Sequence, residues 1–166
     1  MFAGFTSRRR FADLSEQEVL ALAISSEEDD AQIYRQYGEK LRKEYPASAQ
    51  IFDGMALEED EHRRRLIEAH KARVGDVIPL IRREHVAGFY ARKPIWLAKN
   101  LSLETIRGEA EAMERDAGKF YTLAAQRSSD ADTRKLLGDL AAAELGHEKT
   151  AVELSATHLT EDAKDE

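Results

Sequence analysis

The chain has 166 residues, a formal net charge of -7 and no cysteine. This length suits one domain with a substantial core, and the acidic balance argues against nucleic-acid binding because no broad basic surface is available to displace counterions. The missing cysteines exclude disulfides, thiolate zinc sites and iron–sulfur ligation, and the apolar runs are far shorter than the roughly 20 residues that cross a bilayer. With only three prolines and nine glycines, the composition predicts a mainly helical protein.

Four long helices are predicted from capping residues and apolar periodicity. The first begins near Ser15, which can form a capping box with Glu18. Pro46 interrupts it, and Gly75 is placed to end the second helix. The predicted spans are, in chain order, Ser15 to Tyr45, about Ala47 to Val74, from just after Ser102 to Arg127, and from the Ser128-Ser129-Asp130 turn to about His158.

The organisation predicted from these spans is one all-α domain at residues 15–159, with a basic leader at residues 1–14 and an acidic tail at residues 160–166. Short turns pair the first helix with the second and the third with the fourth. The crossover between the pairs, about residues 75–101, is longer than an ordinary hairpin loop. One long crossover between the second and third of four helices is the connection of a ferritin-like four-helix bundle.

The crossover is too apolar for a free linker, since it contains residues such as Ile81, Phe89 and Trp96. We expect it to pack along the bundle or across a dimer interface. The alternative is a membrane-facing role, which depends on four basic residues: Arg82, Arg83, Arg92 and Lys93.

Each predicted helix carries one glutamate at mid-length within its apolar stripe. An ionised carboxylate in an apolar core costs several kcal/mol unless it is paired, so four of them at one level of a bundle require cations. Two divalent ions would neutralise the set. The four glutamates are Glu27, Glu59, Glu114 and Glu144.

Two of these glutamates begin a repeated Glu-x-x-His motif, at Glu59–His62 and Glu144–His147. Positions i and i+3 share a helix face, so each motif presents a carboxylate and an imidazole to one point. Glu27 and Glu114 each precede a tyrosine by seven positions. Carboxylate oxygens with imidazole nitrogens suit iron, with manganese or zinc as substitutes.

The repeated pattern predicts a dinuclear metal site in which Glu59 and Glu144 bridge the two ions. Glu111 lies one turn before Glu114 and could also point inward, so both are candidates for the ligand from the third helix. Two tyrosines are either ordinary core residues or hydrogen-bonding residues with a catalytic role: Tyr34 and Tyr121.

With these motifs the chain resembles the rubrerythrin and erythrin branch of the ferritin-like superfamily, over roughly Glu18 to Leu154. The resemblance implies a di-iron bundle in which Tyr34 and Tyr121 hydrogen-bond to the ligands. Rubrerythrins also carry two glutamates spaced as Glu111 and Glu114 are. Their rubredoxin module needs cysteines, which this sequence lacks. The implied metal ligands are Glu27, Glu59, His62, Glu111, Glu114, Glu144 and His147.

More closely, the chain is similar to the N-terminal cytosolic domain of bacterial membrane-bound ferritins. In that family an erythrin domain precedes a membrane domain that resembles vacuolar iron transporters. The likeness implies a cytoplasmic domain at the inner membrane, attached in the full-length protein to a C-terminal transporter domain. It also implies a role in iron export and in protection from peroxide.

The function expected from the motifs and the resemblance is that of a ferroxidase. Such a domain binds two ferrous ions and oxidises them with peroxide or dioxygen, here as a homodimer without a nucleic-acid partner. One alternative is hydroxylation of a quinone or another organic substrate, which needs an open channel; the bulky Tyr34, Met55 and Tyr121 argue against one. The other is a non-catalytic iron-sensing or dimerisation module.

Overall fold

The computed structural model describes residues 8–88 and 101–162, with side chains described as far as His147. Four long helices dominate these residues, and the predicted all-α bundle is confirmed. The first helix packs mainly against the second and the third against the fourth, so the molecule consists of two helical hairpins. The helices are α1 (Glu16–Leu41), α2 (Pro46–Arg73), α3 (Leu103–Arg127) and α4 (Ala131–Asp162).

The N-terminus of α1 is held by the predicted capping box. The Ser15 hydroxyl oxygen accepts from the backbone N–H of Glu18 at 3.2 Å, and the Glu18 carboxylate accepts from the backbone N–H of Ser15 at 3.1 Å. These bonds satisfy two N–H groups that the helix itself leaves without a partner. α2 begins at Pro46, whose fixed φ suits the first turn of a helix, and α1 ends slightly earlier than predicted, at Leu41.

The C-terminus of α2 is closed by Gly75, which adopts a φ of 140°, a conformation that favours glycine. The N–H of Gly75 donates to the carbonyl of His70 at 3.1 Å. The buried His70 ring contacts the Gly75 carbonyl in return, through Nδ1 at 2.9 Å.

The last helix is longer than predicted. α4 continues to Asp162, beyond the predicted end at His158 and into the predicted acidic tail. No glycine or proline follows His158 to stop the helix.

Residues 9–14, within the predicted basic leader, lie against the bundle. Arg9–Arg10 (β1) pairs in parallel with Val86–Ala87 (β2). A 3-10 turn follows β1 at Phe11–Asp13. The Arg127 guanidinium of α3 donates to carbonyl oxygens of this turn and to that of Leu14, which follows it, at 2.9 Å. The leader is therefore attached to the crossover by backbone pairing and to α3 by Arg127.

The described part of the crossover, residues 75–88, packs along the bundle. Ile78 and Ile81 pack against the core, and Val86 is fully buried in it. The Ser25 hydroxyl of α1 donates to the Ile81 carbonyl at 2.5 Å. Several of the crossover residues singled out above lie outside the described residues: Phe89, Arg92, Lys93 and Trp96.

Arg82 and Arg83 face the bundle. Arg82 pairs with Asp29 at 2.9 Å and Arg83 pairs with Asp30 at 2.8 Å, and both carboxylates belong to α1. These two arginines are therefore paired with α1, and the membrane-facing role of the crossover stays a prediction. Within the described ranges, no helix is long and apolar enough to cross a bilayer.

Two apolar clusters fill the bundle on either side of its acidic middle. Leu20, Leu66 and Leu140 belong to one cluster, and Phe52 and Ile106 belong to the other. Burial of such a side chain contributes roughly 1.5–3 kcal/mol, which offsets the cost of the charged layer between them. The clusters hold the four helices at the level where the glutamates meet.

Candidate metal centre

Four buried glutamates, one from each helix, meet in the middle of the bundle. Glu27 is 2% exposed, and Glu59, Glu114 and Glu144 are each 1% exposed. Each one continues the apolar stripe of its helix, because the residue four positions before it is a core residue: Ala23, Met55, Ala110 and Leu140. The predicted convergence of the carboxylates is what the structure shows.

The possible ligand atoms form two overlapping sets of four. Site A consists of Glu27, Glu59, His62 and Glu144. Site B consists of Glu59, Glu114, Glu144 and His147. In each set the donor atoms lie within 4.8 Å of one another. Glu59 and Glu144 are common to both sets, as expected of carboxylates that could bridge two metal ions.

Both histidines turn Nδ1 toward the carboxylates. His62 Nδ1 is 3.3 Å from Glu144 Oε1, and His147 Nδ1 is 3.1 Å from Glu114 Oε2. The two rings are nearly parallel, at 15°, with their centroids 6.1 Å apart. The two Glu-x-x-His motifs therefore present the same ring nitrogen to the same space.

Two buried tyrosines connect the hairpins through the glutamates. Tyr34 on α1 donates its hydroxyl to Glu114 on α3, and Tyr121 on α3 donates its hydroxyl to Glu27 on α1. Burial and the adjacent carboxylates raise the pKa of both phenols well above 10. Each tyrosine therefore stays protonated and orients a carboxylate, the role that hydrogen-bond donors behind metal ligands commonly have.

The charges of the metal-free cluster depend on one another. Burial and the neighbouring glutamates raise the pKa of Glu59 well above its usual value, and burial raises that of Glu114 to about 8. Burial disfavours charged imidazoles, but the nearby glutamate carboxylates outweigh it and raise the pKa of His62 to about 9 and that of His147 to about 10. For Glu144, the contacts with Glu114 and the two imidazoles outweigh burial and lower the pKa. Without a cation, the cluster thus retains protons that reduce its repulsion.

The cluster fits a cation. Buried polar atoms without a hydrogen-bond partner are rare and costly in folded proteins. The described part of the cluster has four of them: Glu27 Oε2, Glu59 Oε1, His62 Nδ1 and Glu144 Oε1. Oxygen and imidazole donors match iron and manganese, so the donor set and the unpartnered atoms agree.

Of the two candidates on the third helix, only Glu114 reaches the cluster. The Glu111 side chain is 38% exposed and its carboxylate lies 3.9 Å from the Arg115 guanidinium, one turn further along α3. It belongs to neither ligand set. The three-residue step leaves Glu111 about 60° around the helix from Glu114, and at that angle its side chain lies at the solvent-exposed edge of α3 beside Arg115.

One carboxylate that the sequence did not indicate contacts the cluster from outside. Glu58 on α2 forms a hydrogen bond with His147 Nε2, and its side chain is 57% exposed. Glu58 lies about 100° around the helix from Glu59, outside the apolar stripe. The contact arises only when α4 packs beside α2, so no local pattern marks it.

A cavity of about 440 Å³ reaches the cluster beside site A. Glu27 and Tyr121 line it, together with apolar and charged side chains that include Phe120, Arg83 and Asp30. Cavities of this size hold small organic molecules. Tyr121 therefore lines an opening, whereas the sequence had suggested that it would close one.

The fold and the site together define a class of helical bundle proteins in which carboxylates and histidines from four helices form one buried cluster. The rubrerythrin family model matches residues 18–155, and the chain belongs to the rubrerythrin family. The cluster is compatible with a di-iron site of that class.

The chain is also similar to a solved structure, a hypothetical protein from Pyrococcus furiosus. The TM-score is 0.71, the sequence identity is 22%, and the match covers 93% of this chain and 98% of that one. At this identity the likeness supports the fold alone. None of the curated proteins matches this sequence.

Proposed function

We propose that the chain is a di-iron ferroxidase-type domain, which binds ferrous iron and oxidises it with hydrogen peroxide or dioxygen. One observation carries the proposal: two four-residue ligand sets, each with its own glutamate and histidine, share Glu59 and Glu144. Iron is favoured over manganese or zinc because the chain belongs to the rubrerythrin family.

The charges support two divalent ions. The four glutamates carry four negative charges when ionised, and the two imidazoles are neutral when they bind metal, so two divalent cations give a neutral centre. Glu27 and His62 would complete site A, while Glu114 and His147 would complete site B. Both histidines must lose a proton for this, which the cations favour.

Two Fe(II) ions supply the two electrons that reduce one hydrogen peroxide to two water molecules, with the uptake of two protons. Tyr34 and Tyr121 each orient one glutamate through a hydrogen bond and remain protonated. The sequence lacks cysteine, so no rubredoxin-type iron within it can supply electrons. Ferrous iron itself is therefore the reductant.

The cellular setting proposed here depends on resemblance to membrane-bound ferritins. In that setting the domain is cytoplasmic, lies at the inner membrane, forms a homodimer and precedes a C-terminal transporter domain. Its role would be iron export and protection from peroxide.

The test is an anaerobic Fe(II) titration of the metal-free protein, followed by a pulse of peroxide or oxygen and measurement of near-ultraviolet ferric absorbance. We expect two irons per chain and rapid oxidation, both lost in Glu59→Ala and Glu144→Ala. Glu114→Ala should lose iron, whereas its matched control Glu111→Ala should retain it. Circular dichroism checks that each variant keeps its helices.

Each result of this titration decides between functions. Tight binding without oxidation would indicate an iron-sensing or dimerisation module. Absence of Fe(II) binding in the unaltered protein would overturn the metal-site proposal.

The cavity beside site A favours hydroxylation of an organic substrate as a second candidate. The test supplies an external reductant, oxygen and a quinone-type substrate to the iron-loaded protein. A hydroxylated product would favour this candidate, and oxidation of iron without product would favour the ferroxidase.

A further inference from the structure

The two histidines of the cluster differ on the side of the ring that faces away from the glutamates. His147 turns Nδ1 toward Glu114 and forms a hydrogen bond through Nε2 with the Glu58 carboxylate. The His147 side chain is 14% exposed and that of Glu58 is 57% exposed, so this contact lies at the solvent edge of the cluster.

Glu58 has no counterpart in the second copy of the Glu-x-x-His motif. Glu58 immediately precedes Glu59 on α2, and the equivalent position before Glu144 on α4 is Ala143. A methyl group cannot accept a hydrogen bond. The motif that contains His62 therefore lacks the acceptor that Glu58 offers to His147.

A carboxylate behind a metal-binding histidine has known physical effects. It accepts the N–H of the nitrogen that does not bind metal, which fixes the tautomer and the orientation of the ring and raises the basicity of the ligating nitrogen. Loss of such a partner typically weakens metal binding about 10- to 100-fold. A neutral acceptor in the same place retains part of the effect, because it preserves the hydrogen bond without the charge.

The two sites also differ in how many of their ligand atoms have hydrogen-bond partners, and site B again has more. Of the cluster's four buried atoms without a hydrogen-bond partner, two are on the shared Glu59 and Glu144, and the other two, Glu27 Oε2 and His62 Nδ1, belong to site A alone. The two terminal glutamates are alike, since Tyr121 donates to Glu27 as Tyr34 donates to Glu114. The histidines differ, because His147 forms hydrogen bonds with Glu114 and Glu58, whereas His62 Nδ1 has no hydrogen-bond partner. Site B is thus the more organised of the two before a metal binds.

We propose that Glu58 is a positioning residue that holds His147 with Nδ1 toward site B, so that site B binds its metal ion more tightly than site A. The first divalent ion to enter the metal-free protein then occupies site B. This inference rests on the proposed function, since it requires that the cluster binds two metal ions.

The first experiment titrates the full chain anaerobically with Co(II), whose visible absorption reports each binding step. The unaltered protein should show a tighter and a weaker site. Glu58→Ala should weaken the tighter site about 10- to 100-fold and leave the other unchanged, while Glu58→Gln should cost less because its amide oxygen still accepts a hydrogen bond.

Glu61→Gln is the matched control, because Glu61 is an exposed carboxylate on the same helix that pairs with Arg64 instead of a ligand. It should leave both Co(II) steps unchanged. If Glu58→Ala and Glu61→Gln have equal effects, general surface charge explains the loss and the inference is wrong.

A second readout follows the ring itself. In the Zn(II)-loaded protein, nitrogen-15 NMR of the imidazoles should show His147 bound through Nδ1 with a proton on Nε2. In Glu58→Ala that proton should exchange faster with water. Ala143→Glu places a carboxylate before the second motif and should tighten the weaker Co(II) site.

The outcomes separate the two proposals. If the unaltered protein binds no Co(II), the proposed function and this inference both fail. If it binds two ions and Glu58→Ala changes neither affinity, the metal site stands and only the role of Glu58 is refuted.

Discussion

At the scale of single residues, each half of the molecule holds a carboxylate of the other half in place. Tyr34 donates across the bundle to Glu114, and Tyr121 donates across it to Glu27. A hydrogen bond to a charged group contributes about 1.5–3 kcal/mol, so the tyrosines reduce the cost of burying these two carboxylates. Glu27 and Glu114 are therefore oriented in the metal-free protein.

The protons retained by the cluster predict that the metal-free protein becomes less stable as the pH rises. The pKa of Glu114 goes from 4.5 to about 8 on folding, and those of His62 and His147 go from 6.5 to about 9 and about 10. The folded state binds the extra protons, so stability is lost as pH rises from about 5 through 10. Urea unfolding of the metal-free protein at stepped pH measures this.

Divalent metal provides the control for that pH series. Cations replace the protons of the cluster, so the metal-loaded protein should gain stability over the metal-free protein most strongly at alkaline pH. Metal-free stability that increased from pH 5 to pH 9 would contradict the retention of protons by these groups.

At the scale of helices, the close approach of α1 to α2 depends on Gly38. A Cβ at this position would lie 2.5 Å from Asp53 Oδ1 and 3.2 Å from the Ala49 carbonyl oxygen. The Asp53 side chain, which pairs with Arg42 at 2.8 Å, would have to turn away, and the Ala49 carbonyl belongs to the α2 backbone, so the helix itself would have to shift. Glycine therefore allows the two helices to approach this closely.

Gly38→Ala should therefore destabilise the protein by about 1–2 kcal/mol, since overpacking outweighs the better helix propensity of alanine. Gly54→Ala is the matched control on α2, where an added Cβ meets nothing within 4 Å. It should stabilise by about 0.5–1 kcal/mol. Thermal unfolding of the two variants measures the difference, and a stabilising Gly38→Ala would refute the close contact.

Local patterns predicted the helices and most of the cluster, because capping and burial are local. The Ser15 capping box and the Gly75 terminator appear where their residue types required. Apolar periodicity likewise placed all four glutamates inside. It could not choose between Glu111 and Glu114, since both lie within one turn of the inward face.

Local sequence patterns could not predict contacts between segments that are distant in the chain. The pairing of β1 with β2 joins residues far apart in the chain, and neither strand is long enough to show an alternating pattern. The contact of Glu58 with His147 depends on how α4 lies beside α2. The ion pair of Arg83 with Asp30 likewise depends on the path of the crossover.

At the scale of the whole molecule, that ion pair attaches the crossover to the bundle. Arg83→Ala should destabilise the protein by about 3 kcal/mol, because it leaves a buried carboxylate without its partner. Asp30 is 5% exposed, and burial raises its pKa to about 7 even beside Arg83. The loss should therefore be smaller at pH 5, where the carboxyl group is protonated and neutral.

Arg82→Ala is the matched control, since its pair with Asp29 is partly exposed and such pairs contribute about 0–1 kcal/mol. Urea unfolding at pH 5 and pH 8 compares the variants. Equal losses for Arg82→Ala and Arg83→Ala would show that the buried pair does not attach the crossover.

The two helical hairpins contribute unequally to the two ligand sets. Site A takes three of its four ligands from the first hairpin and site B takes three from the second. Each hairpin thus supplies three members of one set, and the other hairpin supplies the fourth. Because the hairpins belong to one chain, their equivalent positions can differ, as Glu58 does from Ala143 and Asp30 from Ala117. Two identical hairpins could not carry those differences, so the two ligand sets can have different surroundings.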